Sequence, residues 1–346
     1  MKTVNLALIG FGNAARAFAR ILLEKEAVLA AEFGVKVAIT AIATGSHGAL
    51  VDEQGIDLRE AIRQLEEDGR FAPGHPAYRK LSGLDIAQMH GYDCLVELSP
   101  LNIFTGQPAL SHIEAALAQK KHVISANKGP IAWAYGRLRD MAAEQGVGFY
   151  YETTVMDGTP VFNLAQKTLR HCKVTCVEGI LNTTTNFVLE ELAKGQPYDA
   201  VMEEGRRRGF VEADPSMDLD GWDAAAKLTA LLNVLMDAGI TPMDIDRTGI
   251  GGVTAEQMAD AKARGKVIKL LCHGHRDAQG LHAWVRPTEV EAGSLWATIT
   301  GTSSVVAIET DLMGRVTVVE HDPELPQTGY GIYSDLVRLL DEQYRS

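Results

Sequence analysis

The chain has 346 residues, 46% of them hydrophobic and 23% charged, which is enough to bury two or three ordinary cores. Acidic residues outnumber basic ones by 45 to 33, for a formal charge of −12, and this argues against a nucleic-acid binder, which needs a basic face to displace counterions. The longest apolar runs are strand-length and broken by Gly or charge, so no membrane span is expected.

Met1-Lys2-Thr3-Val4 runs at once into a strand pattern, leaving no room for a signal peptide. The cysteines, Cys94, Cys172, Cys176 and Cys272, are too few for a disulfide framework, and a reducing, cytoplasmic setting is expected. Cys172 and Cys176 lie near His171, and Cys272 lies near His273 and His275. None forms the close Cys-x-x-Cys pairs of structural zinc sites, so these are read as ordinary residues.

Val4 to Ile9 is an apolar run with the length of a buried strand. It ends in Gly10-Phe11-Gly12-Asn13-Ala14-Ala15 and continues as an Ala-rich helical pattern through Leu23. Strand, glycine turn, helix is the context that gives a GxGxxG-like motif meaning. Gly10 permits the tight turn, and Gly12 lets the backbone approach a pyrophosphate met by amides at the helix N-terminus. Ala15 takes the third position and still allows close helix–strand packing. Strands are expected next at Val35 to Ala43 and at Cys94 to Leu98, the latter ending in Ser99-Pro100. A helix from about Gln107 to Gln119 leads to a strand at His122 to Ser125, and one from about Trp133 to Glu144 leads to Gly148 to Tyr151. This alternation predicts an α/β fold with a Rossmann-type, doubly wound parallel sheet over residues 1–150.

Past Tyr151 the texture changes. Short β-like runs (Val174 to Leu181, Leu281 to Val285, Ser304 to Thr310, Arg315 to Glu320) mix with helical stretches near Asn186–Leu192, Asp223–Ala238 and Ala255–Ala263. Residues 151–330 are therefore expected to form an α+β substrate-binding and dimerisation domain. A final helix, about residues 331–346, carries helix-spaced Ile332, Leu336, Leu339 and Leu340 and is expected to pack back on the first domain.

NAD-specific folds usually end the second strand with an acid that binds the ribose hydroxyls. Here Ala43-Thr44-Gly45-Ser46-His47-Gly48 contains none. Ser46 or His47 can bond a 2′-phosphate, so the reading leans towards NADP with NAD left open. A loop without a ligand is the plainer alternative.

The richest stretch runs from Glu212 through Asp214, Asp218, Asp220 and Asp223 to Lys227. Asp223 and Lys227 are four apart in a helical pattern and share one face. Alone they would make a surface ion pair of a few tenths of a kcal/mol; the preceding acidic loop, able to hold a substrate ammonium, raises their interest.

At this point the chain resembles the homoserine dehydrogenases. The family's Ala-Asn-Lys-x-Pro is present as Ala126 to Pro130, and its Gly-Ile-Leu-Asn-Gly-Thr-Thr-Asn is close to Gly179 to Asn186. Its Glu-x-Asp-Pro…Asp-x-x-Gly-x-Asp-x-x-x-Lys pattern is complete from Glu212 to Lys227. The resemblance implies an enzyme, usually dimeric, that interconverts L-homoserine and L-aspartate 4-semialdehyde in threonine, methionine and isoleucine biosynthesis. It implies that Lys227 donates a proton to the aldehyde oxygen, that Asp223 orients it, and that Lys128 polarises the reacting oxygen. Glu212, Asp218, Asn182 and Thr184 would bind substrate. Gly10, Phe11, Gly12, Asn13, Ala14, Ala15, Ser46, His47, Ser99, Pro100 and Lys128 would bind the dinucleotide. A monovalent cation, often sodium, would be held by Glu152 and the carbonyls of Val155, Asp157 and Thr159. Partners would be a small-molecule substrate and a second copy of the chain, with no nucleic acid or membrane.

Three departures from the family bear on substrate. Thr183 stands where Gly is usual, Phe210 replaces a commoner Tyr, and Pro326 to Gly331 replaces a run of small residues. The chain also ends without room for the regulatory amino-acid-binding (ACT) module of longer members. These departures motivate a second reading, a related dehydrogenase for another small hydroxy- or amino-acid substrate. A third is a non-catalytic NAD(P)-binding sensor, against which the intact Lys128, Glu212, Asp223 and Lys227 argue.

Overall fold

A computed structural model describes residues 1–344, so the last two positions of the expected 331–346 helix lie outside the described residues. The chain divides into two compact units: Met1–Pro160 with the segment from Glu324 onward, and Val161–Pro323. The first boundary falls after Pro160 rather than residue 150, because the intervening segment is bonded into the C-terminal helix Leu325–Gln343. Glu152 N–H donates to Asp335 Oδ2 at 2.9 Å, and the Thr328 hydroxyl donates to Asp157 Oδ1 at 2.5 Å.

In the first unit, β1 (Lys2–Ile9), β2 (Val35–Ala43), β3 (Ala49–Val51), β4 (Tyr78–Arg79), β5 (Cys94–Glu97), β6 (His122–Ser125) and β7 (Phe149–Tyr150) form one sheet in the order β4-β3-β2-β1-β5-β6-β7. The run from β2 to β7 is parallel. Its central strands are buried on both faces, which is why β1 reads as a nearly unbroken apolar run. Short β3 and β4 extend the edge in antiparallel fashion, a departure from the purely parallel expectation that the Thr44–Gly48 turn makes possible. Helices α1 (Asn13–Phe33) and α2 (Leu58–Arg63) cover one face with the C-terminal helix, whose Ile332, Leu336 and Leu340 share a core with Phe18 and Leu22. Helices α3 (Gly83–Ala87), α4 (Ala109–Ala118) and α5 (Lys128–Gln145) cover the other. Strand order reverses between β1 and β5, and in such sheets the crevice outside the strand C-termini at that point receives the ligand.

The second unit is built on a six-stranded sheet. Its strands are β8 (Val174–Ile180), β9 (Asp246–Arg247), β10 (Lys266–Asp277), β11 (Gly280–Glu291), β12 (Ser304–Thr310) and β13 (Gly314–Glu320), in the order β13-β12-β8-β10-β11-β9. All neighbours are antiparallel except β9 on β11. Helices α6 (Phe162–Thr168), α7 (Thr183–Ala193), α8 (Tyr198–Arg208), α9 (Ser216–Leu219), α10 (Trp222–Met236), α11 (Ala255–Ala263) and α12 (Leu295–Thr298) complete it. The Ala224–Ala226 run and Leu228, Leu231 and Leu232 are buried, making α10 the central helix of this unit. Among the described residues no helix is long and apolar enough to cross a membrane.

Candidate active site

The residues singled out in the sequence fall into two groups, one in each unit. In the first, the glycine turn sits at the C-terminal end of β1. Gly10 has φ +98°, and a Cβ there would stand 2.2 Å from the Leu98 carbonyl oxygen. Only glycine satisfies both constraints. Gly12 caps the 21-residue α1, with no side chain bonding the first amides and no atom within 4 Å of the place its Cβ would take. An uncapped helix N-terminus facing open space is a cradle for an anionic phosphate. Phe11 and Ala15 are buried, Phe11 against Phe71 with ring centroids 6.2 Å apart.

The neighbouring strand ends line the same edge of the sheet. Asn127 caps α5 by accepting from Gly129 N–H at 3.0 Å, and its amide donates to the Ser99 carbonyl at 2.9 Å. This ties Ser99 and Pro100, after β5, to half-buried Lys128 in the first turn of α5. The Ser99 hydroxyl is buried and without a hydrogen-bond partner. That orphaned oxygen, the open helix end and the glycine turn together fit a dinucleotide.

Two residues outside any motif also shape this crevice. Arg16 donates to Phe11 O at 3.2 Å and to Asn13 Oδ1 at 2.7 Å, holding the turn closed. Glu97, fully buried at the end of β5, accepts from Ser99 N–H at 2.8 Å, and its other oxygen lies 2.8 Å from His112 Nδ1. A carboxylate closing an otherwise apolar strand was the available signal. Ser46 and His47 are exposed in the turn after β2, with Ser46 Oγ 3.2 Å from His47 Nε2 and His47 N–H donating to Thr44 Oγ1 at 2.8 Å.

The segment expected to hold a cation is rich in buried oxygen. Glu152 and Val155 are buried, while Asp157 is spent on Thr328. Burial first, and the Glu152 carboxylate second, push the Asp335 carboxyl well above its ordinary range. Thr153 Oγ1 and Asp335 Oδ1 are buried without a hydrogen-bond partner. These buried oxygens lie beside the expected Glu152 carboxylate and are of the kind a hard cation takes.

In the second unit the structure gathers Asn182, Thr184, Asp218, Asp223 and Lys227 into one network. Asn182 follows β8 and caps α7, accepting from Thr185 N–H at 2.8 Å. Its amide then donates to Asp218 Oδ1 at 2.6 Å and Asp223 Oδ2 at 3.0 Å. The Thr184 hydroxyl lies 2.7 Å from the Phe210 carbonyl and 3.1 Å from Asp218 Oδ2. Asp223 and Lys227 lie in the first turns of α10, where Lys227 Nζ is 3.4 Å from Asp223 Oδ2 and donates to the Leu181 carbonyl at 2.8 Å. Burial, and then the Asp223 charge, raise the Asp218 carboxyl against the hydrogen bonds that favour its ionised form.

Lys227 thus has two fixed oxygens around its ammonium and little freedom to swing away. Cys272 lies beneath it as a neutral thiol, pushed up to about 12 by burial. Glu212 is exposed on the stretch between α8 and α9 and, among the described residues, is not drawn into this network. Thr183 opens α7, and Phe210 packs edge-on against Phe187 with centroids 5.4 Å apart.

Comparison with known proteins bears on both units. A family model described as homoserine dehydrogenase matches residues 160–337, and one described as homoserine dehydrogenase, NAD binding domain, matches residues 10–152. A homoserine dehydrogenase of Methanocaldococcus jannaschii is 34% identical over 339 residues, covering 98% of this chain and 99% of that protein. An NAD(+)-dependent homoserine dehydrogenase of Pseudomonas canavaninivorans is 31% identical over 344 residues, covering 98% and 97% respectively. Among solved structures, a hyperthermophilic archaeal homoserine dehydrogenase in complex with NADPH is similar over 98% of each chain, with a TM-score of 0.83 at 25% identity.

Proposed function

The chain belongs to the homoserine dehydrogenase family, and from that premise we propose that it interconverts L-homoserine and L-aspartate 4-semialdehyde with a nicotinamide dinucleotide. The observation that carries this reading is Lys227, held by the Leu181 carbonyl and Asp223 beside the half-buried carboxylate of Asp218. Reducing an aldehyde develops alkoxide charge, which a positioned ammonium stabilises and can protonate. When bound, the dinucleotide supplies or accepts the hydride.

The residue roles follow. Lys227 holds the proton for the reacting oxygen, and Asp223 fixes its direction. Asp218, Asn182 and Thr184 receive the polar end of the substrate, with Glu212 as a further anchor for its ammonium. The first unit, through Gly10 to Ala15, Ser99, Pro100 and Lys128, binds the dinucleotide; the second binds substrate. Ser46 and His47, in a turn free of carboxylates, favour NADP over NAD. Glu152 with the carbonyls of Val155, Asp157 and Thr159 would hold a sodium ion. The assembly is a homodimer, as the family resemblance implies, and the free thiols accord with a cytoplasmic setting.

Steady-state oxidation of homoserine and a panel of other hydroxy acids and amino alcohols, each with NAD and NADP, tests the reading. Homoserine should give the highest kcat/KM, and NADP the lower cofactor KM. A better rate with another substrate would favour the related-dehydrogenase reading that Thr183 and Phe210 motivate. A strong NAD preference would overturn the cofactor assignment alone.

A further inference from the structure

One face of the second unit's sheet is filled by α10. A Cβ on Gly274 would stand 2.6 Å from Leu232, and Cys272 is buried on the same side. The alternate residues of β10 therefore face the other way. Register sets His273 opposite Glu178 and His275 opposite Cys176 on β8, and sets them opposite Trp284 and His282 on β11. A soft thiol, a carboxylate and several imidazoles thus share one half-buried face, outside everything the proposed reaction uses.

Their ligand atoms converge. One donor atom each from Cys176, Glu178 and His273 lies within 4.8 Å of the others. His273 Nδ1 is 2.9 Å from Glu178 Oε1 and 4.0 Å from Cys176 Sγ. Tetrahedral zinc sets its N, O and S ligands roughly 3.3–3.7 Å apart, from bond lengths of about 2.0–2.3 Å, and the observed separations bracket that range. The other nitrogen of the ring is also provided for: His273 Nε2 lies 2.9 Å from His275 Nδ1. With its proton on Nε2 and donated to His275, His273 presents the Nδ1 lone pair to the cluster, the outer hydrogen bond that metal-bound histidines use. Stacking on Trp284, with centroids 5.0 Å apart and rings inclined by 17°, fixes the imidazole plane.

We propose that Cys176, Glu178 and His273 form a binding site for one zinc ion, with the fourth position open to solvent. Thiolate and imidazole select a borderline metal over magnesium or calcium. The Arg315 guanidinium donates to Glu178 Oε2, leaving Oε1 as a single oxygen ligand. No contiguous motif encodes this group: Cys176 and Glu178 are i,i+2 neighbours on β8, and Glu178 and His273 are separated by 95 positions. A second group, His275, Asp277 and His282, is more exposed and lacks sulfur, so it serves as the internal control.

The test uses the full chain, stripped with chelator and titrated with cobalt(II) and then zinc(II). One equivalent of cobalt should give a thiolate-to-cobalt charge-transfer band with tetrahedral visible bands, which zinc abolishes. Cys176→Ser should lose the charge-transfer band, and Cys176→Ser and His273→Gln should each weaken zinc retention against a chromogenic chelator by about tenfold or more. His282→Ala should keep both properties. Far-ultraviolet circular dichroism confirms that each variant is folded. The proposal is overturned by absence of a charge-transfer band at one equivalent, by its survival in Cys176→Ser, or by its loss in His282→Ala.

Discussion

Asn182 joins a helix cap to two carboxylates, so its removal has a cost that can be worked out. The side chain is 4% exposed, accepts from Thr185 N–H at 2.8 Å, and donates to Asp218 and Asp223. Asn182→Ala removes the cap, about 1 kcal/mol, and strips a donor from each of two partly buried carboxylates, about 1–3 kcal/mol apiece. These losses share one network and do not add fully, so about 3 kcal/mol is expected. For a unit of this size that lowers Tm by roughly 6–12 °C. Asn182→Asp keeps the cap, since Asp caps as well as Asn, but places a third carboxylate against Asp218 and Asp223. That new carboxyl is raised by its neighbours. Its favourable contribution is complete below the ordinary Asp value of about 3.9 and is lost as pH rises through the folded value. Thermal melts followed by circular dichroism at pH 4 and pH 8 should therefore show Asn182→Asp closest to wild type at the lower pH and well below it at the higher. A pH-independent gap, or a loss under about 1 kcal/mol in Asn182→Ala, would refute the network as described.

Asp218 itself should leave a signature. Its folded carboxyl is raised by burial and by Asp223, so the stability it lends is present in acid and fades as pH climbs through the raised value. Asp218→Asn removes that titration, and the difference in Tm between variant and wild type should shift in the variant's favour between pH 4 and pH 7; a constant difference would contradict the assignment. The two glycines of the turn should separate folding from binding. Gly10→Ala must place a methyl 2.2 Å from the Leu98 carbonyl at φ +98°, and loss of soluble folded protein or a Tm fall of many degrees is expected. Gly12→Ala meets nothing within 4 Å, so its Tm should stay within about 4 °C of wild type, the change at a helix cap being a few tenths of a kcal/mol up to about 1. Its cofactor Kd, by isothermal titration, should rise about tenfold as the methyl enters the phosphate approach; an unchanged Kd would remove the pyrophosphate from this turn.

How much could be read beforehand depended on how far each element's pattern was set locally. The strands β2, β6 and β12 have the expected bounds, because their short runs rich in β-branched residues set the pattern locally. Antiparallel β3 and β4 were invisible, being three and two residues long and defined by register rather than pattern. Strand β10 was missed for a different reason. Its interior Gly274 weakens the strand signal, and His273 and His275 interrupt its apolar alternation. Helix α8, with Arg206 to Arg208 in its last turn, is mostly polar and buries only Val201, Met202 and Gly205, too few apolar residues to mark it. The Asp223–Lys227 pair was legible because helical spacing alone places it on one face. The link from Asn182 to Asp218 spans 36 positions and exists only once β8 and α9 are folded together. The Arg16 contacts and the unpartnered Ser99 hydroxyl likewise arise only from the folded arrangement of the turn and strand ends.

The most direct test of the central claim compares wild type with Lys227→Ala in NADPH oxidation driven by L-aspartate 4-semialdehyde, with cofactor affinity measured alongside. Wild type should turn over, and the variant should lose about 10²–10⁴-fold in kcat, the range for a general acid, while its NADPH Kd stays unchanged. A wild type that binds NADPH but does not turn over this aldehyde, or a variant that keeps its full rate, would contradict the account.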